Sequence, residues 1–418
     1  MLLYSEAIRP HKLVNLSSQL KTPTLVAVDI NLPCEDGKIA QDSLRMRVYA
    51  HELDMLSDYA GLVVTGHQGN KGDDDFTSFK PHYKILFKRL PDDIELFFIP
   101  YNEIFTEDGL LTKETERTIK NLERRQIVLF DNLRYFGHEK KYDRETSPYM
   151  SLRGLVKTCV NDAISALHRG NSRLMCMPDI TQTYVGMRTS YELGVIENIM
   201  TSQKSKALLT GGSKTQKISD LEVIYGSGVR GFAGGLNGQL LAMADGHDLG
   251  EVNNRFLKRK FKPKELDDAK KVLAYGVKYP AYFKVQENGD FRDIPLSEMR
   301  NSRGLIVDIG GGTVDEWSEE LQAYELRCRA GPLGIFEKGH NNGIELTKRI
   351  AGDGLVFFGG DTSQEVIQNG LDEHIVDSGG QILISGGAAI HRWAGGSFPS
   401  LDSILNQKIN RDRLNQFR

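Results

Sequence analysis

Cysteine is scarce and unpatterned in this chain. The four cysteines, Cys34, Cys159, Cys176 and Cys328, show no Cys-x-x-Cys spacing. They read as reduced core residues, not as a disulfide framework or a zinc site. Excess charge of one sign is also lacking. Lys plus Arg number 53 and Asp plus Glu 56, a net charge of −3, which makes no electrostatic case for a nucleic acid or an anionic membrane surface. No stretch approaches the ~20 consecutive apolar residues of a membrane-spanning helix. The start, Met1-Leu-Leu-Tyr-Ser-Glu6, has neither the charged opening nor the apolar segment of a secretion signal. These absences point to a cytoplasmic protein with no nucleic-acid or membrane partner, acting as a monomer or a small homo-oligomer.

Glycine is abundant instead, at 42 residues in a chain of 418. Many glycines stand in pairs or triplets directly after apolar runs, a pattern of phosphate or nucleotide turns more than of flexible linkers. A chain of this length is expected to form two or three domains.

The first half repeats one unit: apolar strand, polar residue at its carboxyl end, helix. The strands are expected at Leu25–Ile30, Gly61–Thr65, Ile94–Ile99, Gln126–Phe130 and Val156–Val160, with helices at Asp42–Ser57 and Lys113–Arg125 and another ending near His168-Arg169. This is the pattern of an open, doubly wound α/β sheet, whose ligands lie beyond the carboxyl ends of the strands. Asp29, Asn31, His67, Arg134 and Arg169 fall there, with Arg45 nearby, and four of these six side chains can carry positive charge. Such a cluster suits a small, multiply anionic ligand, because Arg grips phosphate or carboxylate in a bidentate fork. Each residue taken singly also fits a solvated surface charge.

A helix over Tyr191–Ser205 bridges to a second half. There Lys206–Thr210 runs into Gly211-Gly-Ser-Lys214, Val229–Ala233 into Gly234-Gly235, and Arg303–Asp308 into Ile309-Gly-Gly-Gly-Thr313. Ala330–Glu337 reads as a rigid turn, and Gln381-Ile-Leu-Ile-Ser-Gly-Gly387 as another strand with a glycine end. Leu355–Phe358 enters Gly359-Gly360-Asp361-Thr362, followed by a helix start; an ordinary N-cap and a phosphate turn both fit that stretch. Together these predict a second α/β sheet with at least four glycine turns. Residues 251–302 are more charged and read as helix plus short antiparallel strands. The composition fits a nucleotide: glycines allow close approach, Lys neutralises phosphate and Asp takes a metal.

Two local matches mislead. Gly226-Ser-Gly-Val-Arg-Gly231 fits G-x-G-x-x-G, but its glycines precede a strand instead of following one. Asp308-Ile-Gly-Gly-Gly-Thr313 resembles a phosphate motif of the actin and heat-shock-70 ATPases. The Asp-x-Gly-Thr/Gln hairpin which that fold needs is missing at Asp29-Ile-Asn-Leu32.

The order of motifs resembles the phosphoglycerate kinase family, in its archaeal form. Ala27-Val-Asp-Ile-Asn-Leu-Pro33, Arg45-Met-Arg47, Gly66-His-Gln-Gly-Asn-Lys71, Phe130-Asp-Asn-Leu-Arg-Tyr135 and Val160-Asn-Asp-Ala-Ile164 with His168-Arg169 resemble its first-half motifs. Gly211-Gly-Ser-Lys214, Asp308–Thr313, Ala330–Glu337 and Phe358-Gly-Gly-Asp-Thr362 resemble those of its second half. Three positions depart: Asn70 replaces an Arg, Ala330 an Asn, and Phe358 a Gly.

The resemblance implies two doubly wound parallel-sheet (Rossmann-like) domains joined by a helical hinge, residues 1–188 plus about 400–418 for 3-phosphoglycerate and 189–399 for the nucleotide. It implies reversible phosphoryl transfer between ATP and 3-phosphoglycerate, giving ADP and 1,3-bisphosphoglycerate, in glycolysis and gluconeogenesis. Asp29, Asn31, Arg45, His67, Arg134 and Arg169 would bind the substrate. Gly234 and Gly235 would flank adenine, Glu337 the ribose, Lys214 the phosphates and Asp361 the Mg2+, with Gly310 also binding the nucleotide. Gly359, Gly360 and Thr362 would present N–H groups to phosphate. Arg45, Lys214, Gly359 and Gly360 would be the catalytic set. The attacking carboxylate is ionised at neutral pH, so the absence of a general base is no obstacle. Two domains that each carry one substrate are expected to close for reaction. A nucleotide-binding protein of this family with impaired catalysis is the alternative, motivated by the three departures.

Overall fold

The structure is a computed structural model. It describes residues 16–35, 38–39, 43–212 and 218–416, with the side chains of Glu35, Asp361 and residues 408–416 excepted. The chain forms two compact units, Met1–Asn198 with Gly395–Arg418, and Ile199–Ala394.

The first unit is a parallel sheet of six strands: β1 (Thr24–Val28), β2 (Leu62–Thr65), β3 (Glu95–Ile99), β4 (Gln126–Phe130), β5 (Thr158–Asp162) and β6 (Thr183–Val185). Their spatial order is β3-β4-β2-β1-β5-β6. The central strands β1 and β2 are wholly buried, as expected of Val- and Leu-rich strands covered on both faces. Register places Ala27 opposite both Thr65 and Asn161, so the residues just past these strands share one edge of the sheet. Helix α1 (Leu44–Ser57) follows β1. The tail helix, Pro399–Gln416, also belongs to this unit. Gln407 Nε2 donates to the carbonyls of Pro178 (2.7 Å) and Thr181 (2.9 Å).

The second unit holds a five-stranded parallel sheet. Its strands are β7 (Lys206–Thr210), β8 (Arg230–Ala233), β12 (Leu326–Ala330), β13 (Leu355–Phe358) and β14 (Gln381–Leu383). They are ordered β8-β7-β12-β13-β14. Beside it stands an antiparallel sheet, β9 (Tyr282–Glu287), β10 (Asp290–Pro295) and β11 (Leu305–Ile309), with β9 in the middle.

Several expectations need correction. The apolar run ending at Asp308 is β11 of the antiparallel sheet, not a strand of the parallel one. An apolar run carries no record of its partner's direction; here Asn253 holds β11, accepting from Ile306 N (3.0 Å) and donating to Gly304 O (3.0 Å). Ala330 is the end of a central strand, β12, and not simply part of a turn. Arg327 and Arg329 disguise that strand. The helix expected before His168-Arg169 is only a 3-10 turn, Ile164–Ala166. The bridging helix runs Met187–Thr201, a few residues earlier than expected. Residues 251–302 form two helices, Glu251–Lys260 and Pro263–Leu273, and the β9–β10 hairpin, as anticipated. Gly226 ends a helix, Gly228 precedes β8 and Gly231 lies within it, consistent with a chance match.

Candidate functional site

At the carboxyl edge of the first sheet, polar residues bind the strand ends into one lattice. Asp29 is fully buried. Arg45, in the first turn of α1, reaches it at 3.3 Å and donates to Asn31 O at 2.6 Å. Asn31 Oδ1 accepts from Gly69 N at 2.8 Å, joining this knot to the Gly66–Gly69 loop. That loop is fixed in turn by Gln68 and Asn132, two buried residues the sequence reading left unassigned. Gln68 bonds both the N–H and the carbonyl of Leu32. Asn132 accepts from Gln68 N (3.0 Å) and donates to Gln68 O (2.7 Å).

His67 is buried, and its protonation is held well below the ordinary range. Burial is the main cause; the positive charges of Arg173, Arg134, Arg169 and Arg45 add to it. The expected Arg45, His67, Arg134 and Arg169 thus act on one another electrostatically. Arg134 and Arg169 line an open cavity of about 470 Å³, together with Asn70, Lys71, Asp73, Lys140 and Asn171. Asn70, which replaces an Arg of the family motif, accepts from Arg134 Nη1 at 2.8 Å. Four cations against one carboxylate make this wall strongly positive, suited to an anion. The buried Arg173 was also missed. It touches both His67 (3.0 Å) and Glu139 (3.2 Å), and its only signal in sequence is its place four residues after Arg169.

The second unit builds its site from backbone. Gly212 N donates to Pro332 O (2.5 Å), Gly235 N to Leu333 O (3.1 Å) and Gly211 N to Ala330 O (2.8 Å), so three strand-end turns interlock. The approach needs glycine: Gly235 has φ +54°, and a Cβ there would sit 2.9 Å from Gly212 N. Beside these turns lies an apolar cavity of about 300 Å³, lined by Gly212, Gly235, Phe256, Phe283, Leu305 and Leu333, with Asp308 as its acid. Burial pushes the Asp308 carboxyl up to about 6, against the N–H groups of Ile309, Gly343 and Asn342 that favour its ionised form. Gly310 lies against Tyr282, whose Cβ would be 2.6 Å from a side chain placed there. Glu337 is exposed on the 3-10 turn Phe336–Lys338.

Gly359 ends β13 with φ +114° and faces Gly386, whose Cα would be 3.0 Å from an added Cβ. Helix α2 (Gly360–Gln368) starts there. Thr362 Oγ1 donates to Phe358 O (3.0 Å) and accepts from Gly331 N (2.7 Å), so its hydroxyl is committed to the turn. Phe358 packs into the core against Trp393, ring centroids 6.1 Å apart, instead of standing in the glycine turn. Lys214 lies outside the described residues, as does the side chain of Asp361. Among the described residues no group of three or more His, Cys, Asp or Glu could hold a metal, and no helix is long and apolar enough to cross a membrane.

Two α/β units, one with a cation-lined cavity and one with a glycine-walled apolar cavity, define the class: a protein of two Rossmann-like domains. The phosphoglycerate kinase family model matches residues 18–395. The chain is 27% identical to the phosphoglycerate kinase of Methanopyrus kandleri over 403 residues, 91% of this chain and 94% of that one. It is 28% identical to that of Sulfolobus acidocaldarius over 400 residues, covering 91% and 92%. The crystal structure of the phosphoglycerate kinase from Pyrococcus horikoshii OT3 shares the fold, with a TM-score of 0.79 at 24% identity, covering 93% of this chain and 96% of that one. The chain belongs to the phosphoglycerate kinase family, and nucleotide binding goes with that membership.

Proposed function

We propose that the first unit binds 3-phosphoglycerate, that the second binds MgATP, and that the chain transfers the γ-phosphoryl group reversibly between them. The observation that carries this reading is the cationic wall of Arg134, Arg169 and Lys71 beside buried His67 and the Asp29–Arg45 pair. Arg134, Arg169 and His67 take the substrate phosphate and carboxylate, while Asp29 and Asn31 orient its polar groups. The apolar cavity by Gly234 and Gly235 takes the adenine, and Glu337 the ribose. The N–H groups of Gly359, Gly360 and Thr362 at the start of α2 favour phosphate, as helix N-termini do. The metal arrives with the nucleotide as part of the substrate; Asp361, in the first turn of that helix, is the carboxylate that would share it. Lys214 and Gly310 complete the phosphate contacts.

The substrate carboxylate oxygen forms the new bond to phosphorus. The bond to the ADP oxygen breaks, and its electron pair leaves with ADP. No proton moves, because a carboxylate with a pKa near ~4 is already ionised. The chain's task is therefore alignment and charge neutralisation. Arg45 serves from the substrate side, its guanidinium already oriented by Asp29 and Asn31 O. Lys214 serves from the nucleotide side. A coupled assay with 3-phosphoglycerate and MgATP tests the reading directly. Nucleotide binding without turnover would replace it by the impaired nucleotide-binding alternative.

A further inference from the structure

Arg173 is one of the largest fully buried side chains in the molecule. It stands in the short helix Ser172–Met175, and none of the motif positions that mark the family includes it. A purely structural arginine would spend its guanidinium on its carboxylate. Arg173 divides it. Nε lies 3.2 Å from Glu139 Oε1, and Nη2 lies 3.0 Å from His67 Nδ1. Glu139 is itself held by the Tyr149 hydroxyl (2.9 Å) and by Arg173 N (3.2 Å). The guanidinium is therefore anchored on one side and presented to the imidazole on the other. Its Nε, though in ion-pair contact with Glu139, and its Nη1 are both buried with no hydrogen-bond partner among the described residues. A cost of that kind, kept in a core, calls for a functional explanation.

The contact with His67 has only one chemical sense. A guanidinium has donors and no acceptor, and does not deprotonate. Nδ1 must therefore be the unprotonated, accepting nitrogen, and the ring proton of neutral His67 must sit on Nε2. Among the described residues no hydrogen bond engages Nε2. From these contacts we infer that Arg173 is a positioning residue: it locks His67 as the neutral Nε2–H tautomer, so that Nε2 is a ready donor to the substrate's anionic group. This rests on the substrate role proposed above for His67.

The usual orienting partner of a functional histidine is a carboxylate or carbonyl, which accepts from Nδ1–H and favours the cationic ring. An arginine does the reverse. In a wall already carrying Arg45, Arg134 and Arg169, a neutral donor adds a directed hydrogen bond without adding another buried charge. The charged groups acting on His67 agree, since Arg173, Arg134, Arg169 and Arg45 all disfavour its protonation, and the carboxylate of Glu139 is paired with Arg173.

Nitrogen NMR of the full chain labelled in histidine reads the tautomer directly. The expected wild-type result is a His67 ring with a pyridine-like Nδ1 and a protonated Nε2, unchanged on titration from pH 8 to pH 5.5. An Nδ1–H tautomer, or a ring that titrates in that range, overturns the inference without any variant being made. In Arg173→Met the ring is expected to become a mixture of tautomers while staying neutral in that range, because burial and the other three arginines still disfavour its protonation. The KM for 3-phosphoglycerate should rise roughly 10- to 100-fold, the loss of one oriented hydrogen bond to a charged group, while the KM for MgATP stays within about twofold. Arg173→Gln, which keeps a donor for Nδ1, should restore the tautomer and most of the affinity. Equal loss in both variants with His67 unchanged in the spectrum would make Arg173 a structural residue only. Absence of turnover in the wild type, with the tautomer as expected, would sink the kinase reading and leave the placement of the proton standing.

Discussion

On the reading proposed above, the two units solve the same problem, holding an anion, with opposite materials. The first uses charged side chains at the ends of buried strands: Asp29, Arg45, His67, Arg134 and Arg169, braced by Gln68 and Asn132. The second uses mostly backbone. Its turns at Gly211–Gly212, Gly234–Gly235 and Gly331–Pro332 interlock through N–H and carbonyl groups, and Gly359 meets Gly386 where any side chain would collide. A side-chain site can be altered one residue at a time with local effect. A backbone site depends on what is missing, so adding a single methyl group disturbs it.

The largest expected effect tests how far the second unit relies on one buried pair. Arg329 and Glu365 are both about 1% exposed and lie 2.5 Å apart, on neighbouring elements β12 and α2. Arg329→Ala leaves a buried carboxyl without its partner and should cost about 3–5 kcal/mol in unfolding free energy, read by denaturant titration. Replacing both together, Arg329→Met with Glu365→Leu, should cost much less. Equal losses in the single and double variants would show that packing, not charge, explains the pair. Next comes Arg45→Ala, which should lower turnover by ~10²–10³ while calorimetry shows MgATP binding nearly unchanged. Normal turnover would remove Arg45 from the chemistry. Gly359→Ala should do the opposite, weakening nucleotide binding while leaving 3-phosphoglycerate binding intact. It forces a side chain to φ +114°, a backbone strain of about 1–3 kcal/mol.

The smallest effect is one of pH. Burial lowers the His82 pKa to about 3, while the unfolded chain keeps the ordinary 6.5. The unfolded state therefore gains the proton first, and stability is lost as pH falls below 6.5 toward 3. At pH 5 the loss from this residue is about 2 kcal/mol. His82→Gln should remove that part of the slope between pH 7.5 and 5. In the second unit the sign reverses. Burial raises Glu365 to about 7 despite Arg329, so its contribution declines as pH rises from 4.5 through 7. Glu365→Gln should flatten that limb. An unchanged slope in either variant would place its titration elsewhere.

How legible the molecule was in its sequence follows the same division. The strands at Gln126–Phe130, Lys206–Thr210 and Leu355–Phe358 run between the residues expected, because an apolar run closed by polar residues or glycine is a local signal. The arginines and His67 were legible because their side chains are themselves the chemistry. Strand β12 was not, since Leu-Arg-Cys-Arg-Ala reads as surface until Glu365 and Thr347 are seen to satisfy Arg329. Nor was β11's sheet, since pairing direction depends on a strand about twenty residues away. The Gly310–Gly312 run reads as a phosphate motif, yet Gly310 and Gly312 both lie against Tyr282, a packing role no local pattern reveals.

By itself the sequence determined the α/β repeat, the cluster of cations at the strand ends of one half and the glycine-built turns of the other. These depend on neighbours within a few residues and on side-chain type. Only the tertiary structure decided that Phe358 turns into the core against Trp393, that Arg329 finds Glu365, and that Arg173 reaches His67 across 106 positions. Each of those outcomes is set by which distant group shares a desolvated space. Inside such a space an unpaired charge is too costly to keep, so long-range partners, not local propensity, choose the arrangement.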